Sequence, residues 1–205
     1  FLKKMIFLNY LLKLSYVTNS SISKTSLIGK FSRINECTFH SYSSCGSSCQ
    51  FYRSNIGRYS SIGPRVKVVA GLHPFQKLSS SSIFHGLYWS KRTRLDSVQI
   101  FSNPNLDHSK KGANGATTNF EEDVWIGSDA RIISGVKIAR GSVVGASSLV
   151  LKDTEPYSIN VGIPAKKINT RFSKDKIAWI EESKWWKYSP KKVSEIFLNS
   201  PYYEY

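Results

Sequence analysis

Ile126, Ile132, Ile138, Val144 and Val150 fall at every sixth position through VWIGSDARIISGVKIARGSVVGASSLVLKD, residues 124–153, without a slip. An α-helix repeats its apolar face near every 3.6 residues and a half-buried strand every two, so neither accounts for isolated aliphatics at strict sixes. The same period returns in Ile56, Ile62 and Val68, and again in Ile22, Ile28 and Ile34. Glycine repeatedly follows the aliphatic, at Gly29, Gly57, Gly63, Gly127 and Gly145. Such a hexad describes one side of a triangular coil: the aliphatic points inward, and small residues let the chain turn the corners. One coil cannot bury its own face, so coils must stack into a solenoid. The two early runs do not share a register, because Ile34 and Ile56 are not a multiple of six apart. The Ser-, Cys- and Gly-rich residues 41–49 lie between them, and an irregular coil is expected there.

Around the repeats the 205 residues divide into three segments. Residues 1–18 are read as a helical lead, 19–170 as the β-helix domain with an excursion over 70–122, and 171–205 as a helical tail. The excursion holds HPFQKLSSSSIFHG and SNPNLDHSKKGANGATTN and has no period. A long aperiodic insertion in a solenoid is usually functional. In the tail, KDKIAWIEESKWWKY is followed by Pro190 at a first helical position, and Ile177, Ile180 and Trp185 form a packing stripe. Phe1 to Val17 is mostly apolar, with Lys3, Lys4 and Lys13, and its longest charge-free run, Met5 to Leu12, is too short to span a bilayer. A helix packed on the body is the first reading of that lead, and weak contact with a membrane surface the second.

The hydrophobic fraction of 40% argues against disorder. Cys37, Cys45 and Cys49 lie close together, with no companion pair elsewhere. A disulfide framework is therefore not expected, and a reducing, cytoplasmic setting is. Only His40 lies near them, too few ligands for zinc, and no metal is expected. The formal net charge is +15. Between Glu36 and Asp96 there is no acidic residue, while Arg53, Arg58, Arg65, Lys67, Lys77, Lys91, Arg92 and Arg94 fall there. That balance points to an anionic ligand or surface. Nucleic acid is disfavoured, since no nucleic-acid motif occurs and the aromatics are not interleaved with the cations as a stacking platform.

Four segments, NIGRYSSIGPRV, GLHPF, EEDVWIGSDARIISGVKIARGSVVGASSLVLKD and VGIPAKKI, run in that order over roughly residues 20–170. In them the chain resembles the hexapeptide-repeat acyltransferases, in the branch of xenobiotic acetyltransferases and bacterial polysaccharide O-acetyltransferases. The resemblance implies a mainly β protein: a left-handed parallel β-helix with a long excursion loop and terminal α-helices. It also implies a homotrimer with active sites at subunit interfaces, and acetyl-CoA as the acyl donor without a metal. The acceptor implied is a hydroxyl of a sugar, as in a capsular or surface polysaccharide, with an antibiotic or other xenobiotic hydroxyl as the alternative. The basic stretch makes an anionic polysaccharide the expected form of that carbohydrate.

Transfer from a thioester to an alcohol needs a base near neutral pKa and a donor for the oxyanion. The resemblance assigns the base to His73, which Pro74 biases toward an extended backbone. His85, with Arg92 and Arg94, is assigned to the acceptor side. Residues 37–95 hold no carboxylate, so the group that orients His73 is a backbone carbonyl, one of Asp96, Asp107, Glu121, Glu122 and Asp123, or a residue of a neighbouring subunit. The donor is expected along Gly145, Ala146 and Ser147, where small residues allow close approach, and along GIPAK, with Pro164 and Lys166. Lys152, Lys166, Lys167 and Arg171 form an expected cluster for its phosphates. Trp125 of VWIG resembles an aromatic near the active site of relatives; core filling at a coil corner is its other reading. A zinc enzyme on the same β-helix would need three converging histidines, and His40, His73, His85 and His108 are scattered.

Overall fold

The structure is a computed structural model that describes residues 14–69 and 117–203. Its strands fall in rotation onto three sheets. Sheet A stacks Tyr16–Thr18, Arg33–Asn35, Gln50–Tyr52, Lys67–Val69, Arg131–Ile133 and Leu149–Val150. Sheet B stacks Ser21–Ile22, Thr38–Phe39, Ser54–Ile56, Thr118–Phe120 and Lys137–Ile138. Sheet C stacks Leu27–Ile28, Ser44–Cys45, Ser61–Ile62, Trp125–Ile126, Val143–Val144 and Ser158–Gly162, and ends on Ala165–Thr170. Neighbours from successive coils pair in parallel, and among the described strands only the closing hairpin is antiparallel. This is the three-sided β-solenoid that the hexads imply.

Each inward residue sits on its counterpart in the next coil. Ile34 lies over Phe51, Phe39 over Ile56, Cys45 over Ile62, and Ile126 over Val144. All are buried. The irregular coil expected at 41–49 does not occur. The early coils are regular, but they repeat every 17 residues rather than 18, as the partners Thr38↔Asn55 and Ser44↔Ser61 show. The A-to-B corner is one residue shorter there, with Glu36 and Arg53 in the left-handed backbone region; the later coil uses the longer corner with Gly135. Phe39, Cys45 and Phe51 therefore keep the inward ladder where aliphatics are missing, and Cys49 stands above Ser32 as a small corner residue. Buried Ser26, Ser43, Ser60 and Ser142 line another corner, each giving its hydroxyl to a backbone carbonyl. A buried polar group must be paired, so serine suits a corner where strand pairing breaks.

The segment boundaries shift at both junctions. Residues 16–18 form a strand of the first coil, so the lead assigned to 1–18 gives up its last residues to the solenoid. The coils resume at Thr118, inside the excursion assigned to 70–122. Val69 ends a strand of sheet A and Thr118 opens the next described strand, on sheet B, so the two described stretches meet across an A–B corner. The tail is helical as expected: α1 (Lys174–Ser183), a short 3₁₀ turn (Trp185–Lys187) and α2 (Pro190–Leu198). Ile180, Trp185, Trp186 and Val193 are buried with Tyr157, and Tyr59, Phe172 and Ile177 pack around them. Arg140 fixes this tail to the coils. It pairs with Glu122 at 3.0 Å and Glu181 at 2.8 Å, and lies 4.1 Å from the centre of the Trp186 ring. No helix among the described residues is long and apolar enough to cross a membrane.

Candidate active site

Trp125 projects from the outer face of sheet C and is 56% exposed, so it is not core filler. Its register partners are Ser61 below and Val143 above. Where the chain comes off the last strand, Arg171 and Phe172 lie beside this face, and a groove of about 450 Å³ opens between them. Tyr59, Asp123, Trp125, Val143, Ile159 and Phe172 line it. Its walls are mostly apolar and aromatic, with one polar edge. Of the residues read from sequence as donor contacts, Trp125 and Arg171 meet in this groove. Tyr59, Val143, Ile159 and Phe172 were not singled out by sequence: coil stacking sets Val143 and Ile159 in line with Trp125, and Phe172 joins them only where the tail comes off the last strand.

Arg171 is not a free cation here. Its guanidinium donates to Asp123 at 2.9 Å and to the Gly141 carbonyl at 2.8 Å, and lies 4.7 Å from the Phe172 ring centre. Burial raises the Asp123 carboxyl above the ordinary carboxylate range, and Arg171 pulls it back only in part. Of the expected cationic cluster, Lys152 follows a strand of sheet A, while Lys166, Lys167 and Arg171 lie on or next to the closing strand of sheet C. Lys152 is exposed at the A–B corner, next to Asp153, which accepts from the Lys137 amide. Lys167 pairs with Glu155 at 2.5 Å. Lys166 is exposed on the closing hairpin.

The GIPAK segment forms the turn of the closing hairpin, whose strands pair Gly162 with Ala165. It sits directly over Gly145: the Gly162 amide donates to Ser148 Oγ at 3.1 Å, and the Gly145 amide to the Asn160 carbonyl at 2.8 Å. Gly145, Ala146, Ser147, Pro164 and Lys166 are thus brought to one corner, between sheets C and A. The reason for Gly145 differs from the expected one. A Cβ there would lie 2.7 Å from Val161 Cγ1, so its bare face is filled by the next strand of the same chain, not left open to a ligand. Ala146 and Ser147 remain exposed beside it.

His73, His85, Arg92 and Arg94 lie outside the described residues, as do Asp96 and Asp107. The three coil acids proposed as partners of His73 are all engaged elsewhere. Glu121 accepts from the Arg140 amide, Glu122 pairs with the Arg140 side chain, and Asp123 with Arg171. His40 is exposed, with Nε2 2.8 Å from Asn55 Oδ1. Among the described residues no three His, Cys, Asp or Glu side chains converge on a metal position. The basic stretch also changes character in three dimensions. Arg53 pairs with Glu36, Arg65 with Asp129 through both oxygens, and Arg58 donates to the Tyr188 carbonyl. The acids of Arg53 and Arg65 come from neighbouring coils, which a linear reading separates from them.

No model of a protein family matches the chain. It is 36% identical over 138 residues to a chloramphenicol acetyltransferase of Klebsiella aerogenes, a match that covers 67% of this chain and 61% of that protein. It is 47% identical over 73 residues to a chloramphenicol acetyltransferase of Escherichia coli, over 36% of this chain and 35% of that one. The chain thus spans about three fifths, or less, of the length of these relatives. Among solved structures, it superposes on a point mutant of AntD, an N-acyltransferase from Bacillus cereus, with a TM-score of 0.54 and 21% identity. That match covers 86% of this chain and 95% of the other, and it bears on the fold. Unbroken hexads, a three-sided parallel solenoid and a 36% identical relative matched over two thirds of this chain agree: the chain has the hexapeptide-repeat β-solenoid fold and is a relative of these acetyltransferases.

Proposed function

We propose that the protein is an acetyl-CoA-dependent O-acetyltransferase that uses His73 as general base. The observation that carries this reading is the 36% identity over 138 residues to an acetyltransferase. The acceptor hydroxyl gives its proton to the His73 imidazole as its oxygen attacks the thioester carbonyl. The carbon–sulfur bond then breaks, and the imidazolium returns the proton to the departing thiolate. Ala146 and Ser147, with the hairpin turn at Pro164, offer an edge for the extended arm of the donor. Lys166, exposed beside that turn, is the cation best placed for its phosphates. Trp125 and the groove beneath it form the apolar wall. Activity is read as that of a homotrimer working in the cytoplasm.

For the acceptor, the relatives' names favour the drug-like alternative: a hydroxyl on a small xenobiotic such as chloramphenicol. A carbohydrate hydroxyl, with His85, Arg92 and Arg94 on the acceptor side, is the second reading; the +15 net charge favours it for an acidic glycan. Thiol release from acetyl-CoA, measured against chloramphenicol, other drug hydroxyls, nucleotide sugars and neutral and acidic glycans, separates the two. Release with none of them overturns the acetyltransferase reading. His73→Ala should lower kcat by about 10²–10⁴ while acetyl-CoA binding stays near normal. Full activity in that variant removes His73 from the mechanism.

A further inference from the structure

The outward side chains of sheet A form a line along the solenoid axis. The register sets Arg33 beside Gln50, Gln50 beside Lys67, and Lys67 beside Arg131. Stacked strands lie about 4.8 Å apart, so the line from Arg33 to Arg131 runs about 14 Å. Arg33, Gln50 and Arg131 are exposed and Lys67 is half-buried. Neither Arg33, Lys67 nor Arg131 forms an ion pair with a described carboxylate. Asp129, at the adjoining corner, feels the charge of Lys67, but both its oxygens are engaged by Arg65.

Like charges opposed on neighbouring strands weaken a sheet. Lys67 beside Arg131 is therefore a loss that coil stacking does not require, and an anion laid across them would relieve it. A second copy of the chain supplies no such anion through its faces, because none of the described strands contains Asp or Glu. The cations lie in a line on an open face and do not converge in a pocket, which suits a long linear anion better than a small one. Nucleic acid fits less well. Single strands need a series of aromatic faces for their bases. Tyr16 is exposed beside Arg33 at one end of the line, but Tyr52 lies under the Arg53 guanidinium at 5.2 Å and the register sets no ring beside Lys67 or Arg131.

We infer that the outer face of sheet A is a binding track for a linear anionic polysaccharide, held through Arg33, Lys67 and Arg131. Gln50 offers its amide to sugar hydroxyls between them. This goes beyond the acyl-transfer reading, since a chain held on this face need not be the acceptor. The test measures binding of polygalacturonate to the full chain, to the triple variant Arg33→Gln, Lys67→Gln, Arg131→Gln, and to a variant with the same charge change on the tail, Lys174→Gln, Lys187→Gln, Lys191→Gln. The intact protein should bind polygalacturonate, less tightly as salt rises, and should not bind neutral dextran. The sheet A variant should bind at least about tenfold more weakly, the combined effect of three exposed charge pairs. Its melting temperature should be unchanged or higher, and the tail variant should bind like the parent. Absence of polygalacturonate binding, an equal loss in the tail variant, or equal binding of dextran overturns the inference. So does tighter binding of oligothymidylate, which would make the face a nucleic-acid surface, or a change in oligomeric mass on substituting sheet A, which would make it a self-association face.

Discussion

Gly127 shows how little freedom a coil corner leaves at a single residue. A Cβ added there would lie 2.4 Å from the Ala146 amide nitrogen, a backbone atom that cannot swing aside. Gly127→Ala should therefore destabilise by about 2–3 kcal/mol or more, read from urea denaturation, because overpacked interiors resist relief. A loss below about 0.5 kcal/mol would mean that the corner can open. Asp123 makes a different prediction. Burial raises its carboxyl, and Arg171 is the group that opposes the rise. In Arg171→Gln that opposition is gone, so the carboxyl titrates higher still. Its ionised form is the costly one. The destabilisation is thus fully present above the raised folded value and is relieved as pH falls through it toward the ordinary carboxylate range. The variant should lose about 1–3 kcal/mol at neutral pH and clearly less at about pH 4.5. An equal loss at both values would show that Asp123 is not the residue left stranded.

At the scale of elements, the tail and the coils are joined by few but concentrated contacts. Arg140 pairs with Glu122 on the coil and Glu181 on α1, and Tyr157 donates to the same Glu181 at 2.6 Å. Trp185 and Trp186 close over this network, and Tyr59 carries the contact to the wall of the groove. Removing Arg140 leaves Glu122 without its cation and Glu181 with only the Tyr157 hydroxyl, and because both carboxylates are partly exposed, water offsets part of the loss. Arg140→Ala should cost about 1–2 kcal/mol and expose the 174–198 helices to proteolysis before the coils are cut. If coils and tail are cut together, the tail is not a separable element. The helices themselves were legible in sequence through Pro190 and the Ile177, Ile180, Trp185 stripe. Their partner was not: Tyr59 lies more than a hundred residues away, and nothing local marks it as the site where the tail docks.

For the whole molecule, stability is that of stacked units, each supporting its neighbours. Ile126 lies in a middle coil between Ile62 and Val144, and Val150 in the last coil of sheet A. Ile126→Ala should cost about 2–5 kcal/mol, since its cavity is walled on both sides by coils that cannot collapse into it. Val150→Ala should cost less, having a ladder neighbour on one side only. Urea melting curves of the two variants check the order, and the reverse order would show that the end coils, not the middle, limit stability.

The sequence by itself determined the repeat, and with it the solenoid. A side chain every sixth residue has one geometric solution, and each coil must find the next to bury it. What it could not determine was the coil length of 17 at Phe39, Cys45 and Phe51. A corner one residue shorter is a backbone event, set by the left-handed conformation at Glu36 and Arg53, and no side-chain pattern announces it. Nor could it tell which cations remain unpaired. Arg53 and Arg65 look free along the chain and are neutralised by Glu36 and Asp129 from adjoining coils, while Arg33, Lys67 and Arg131, far apart in sequence, line up on one face. Stacking converts separations of 17 and 64 residues into distances of a few ångströms, and charge is felt at those distances, not along the chain.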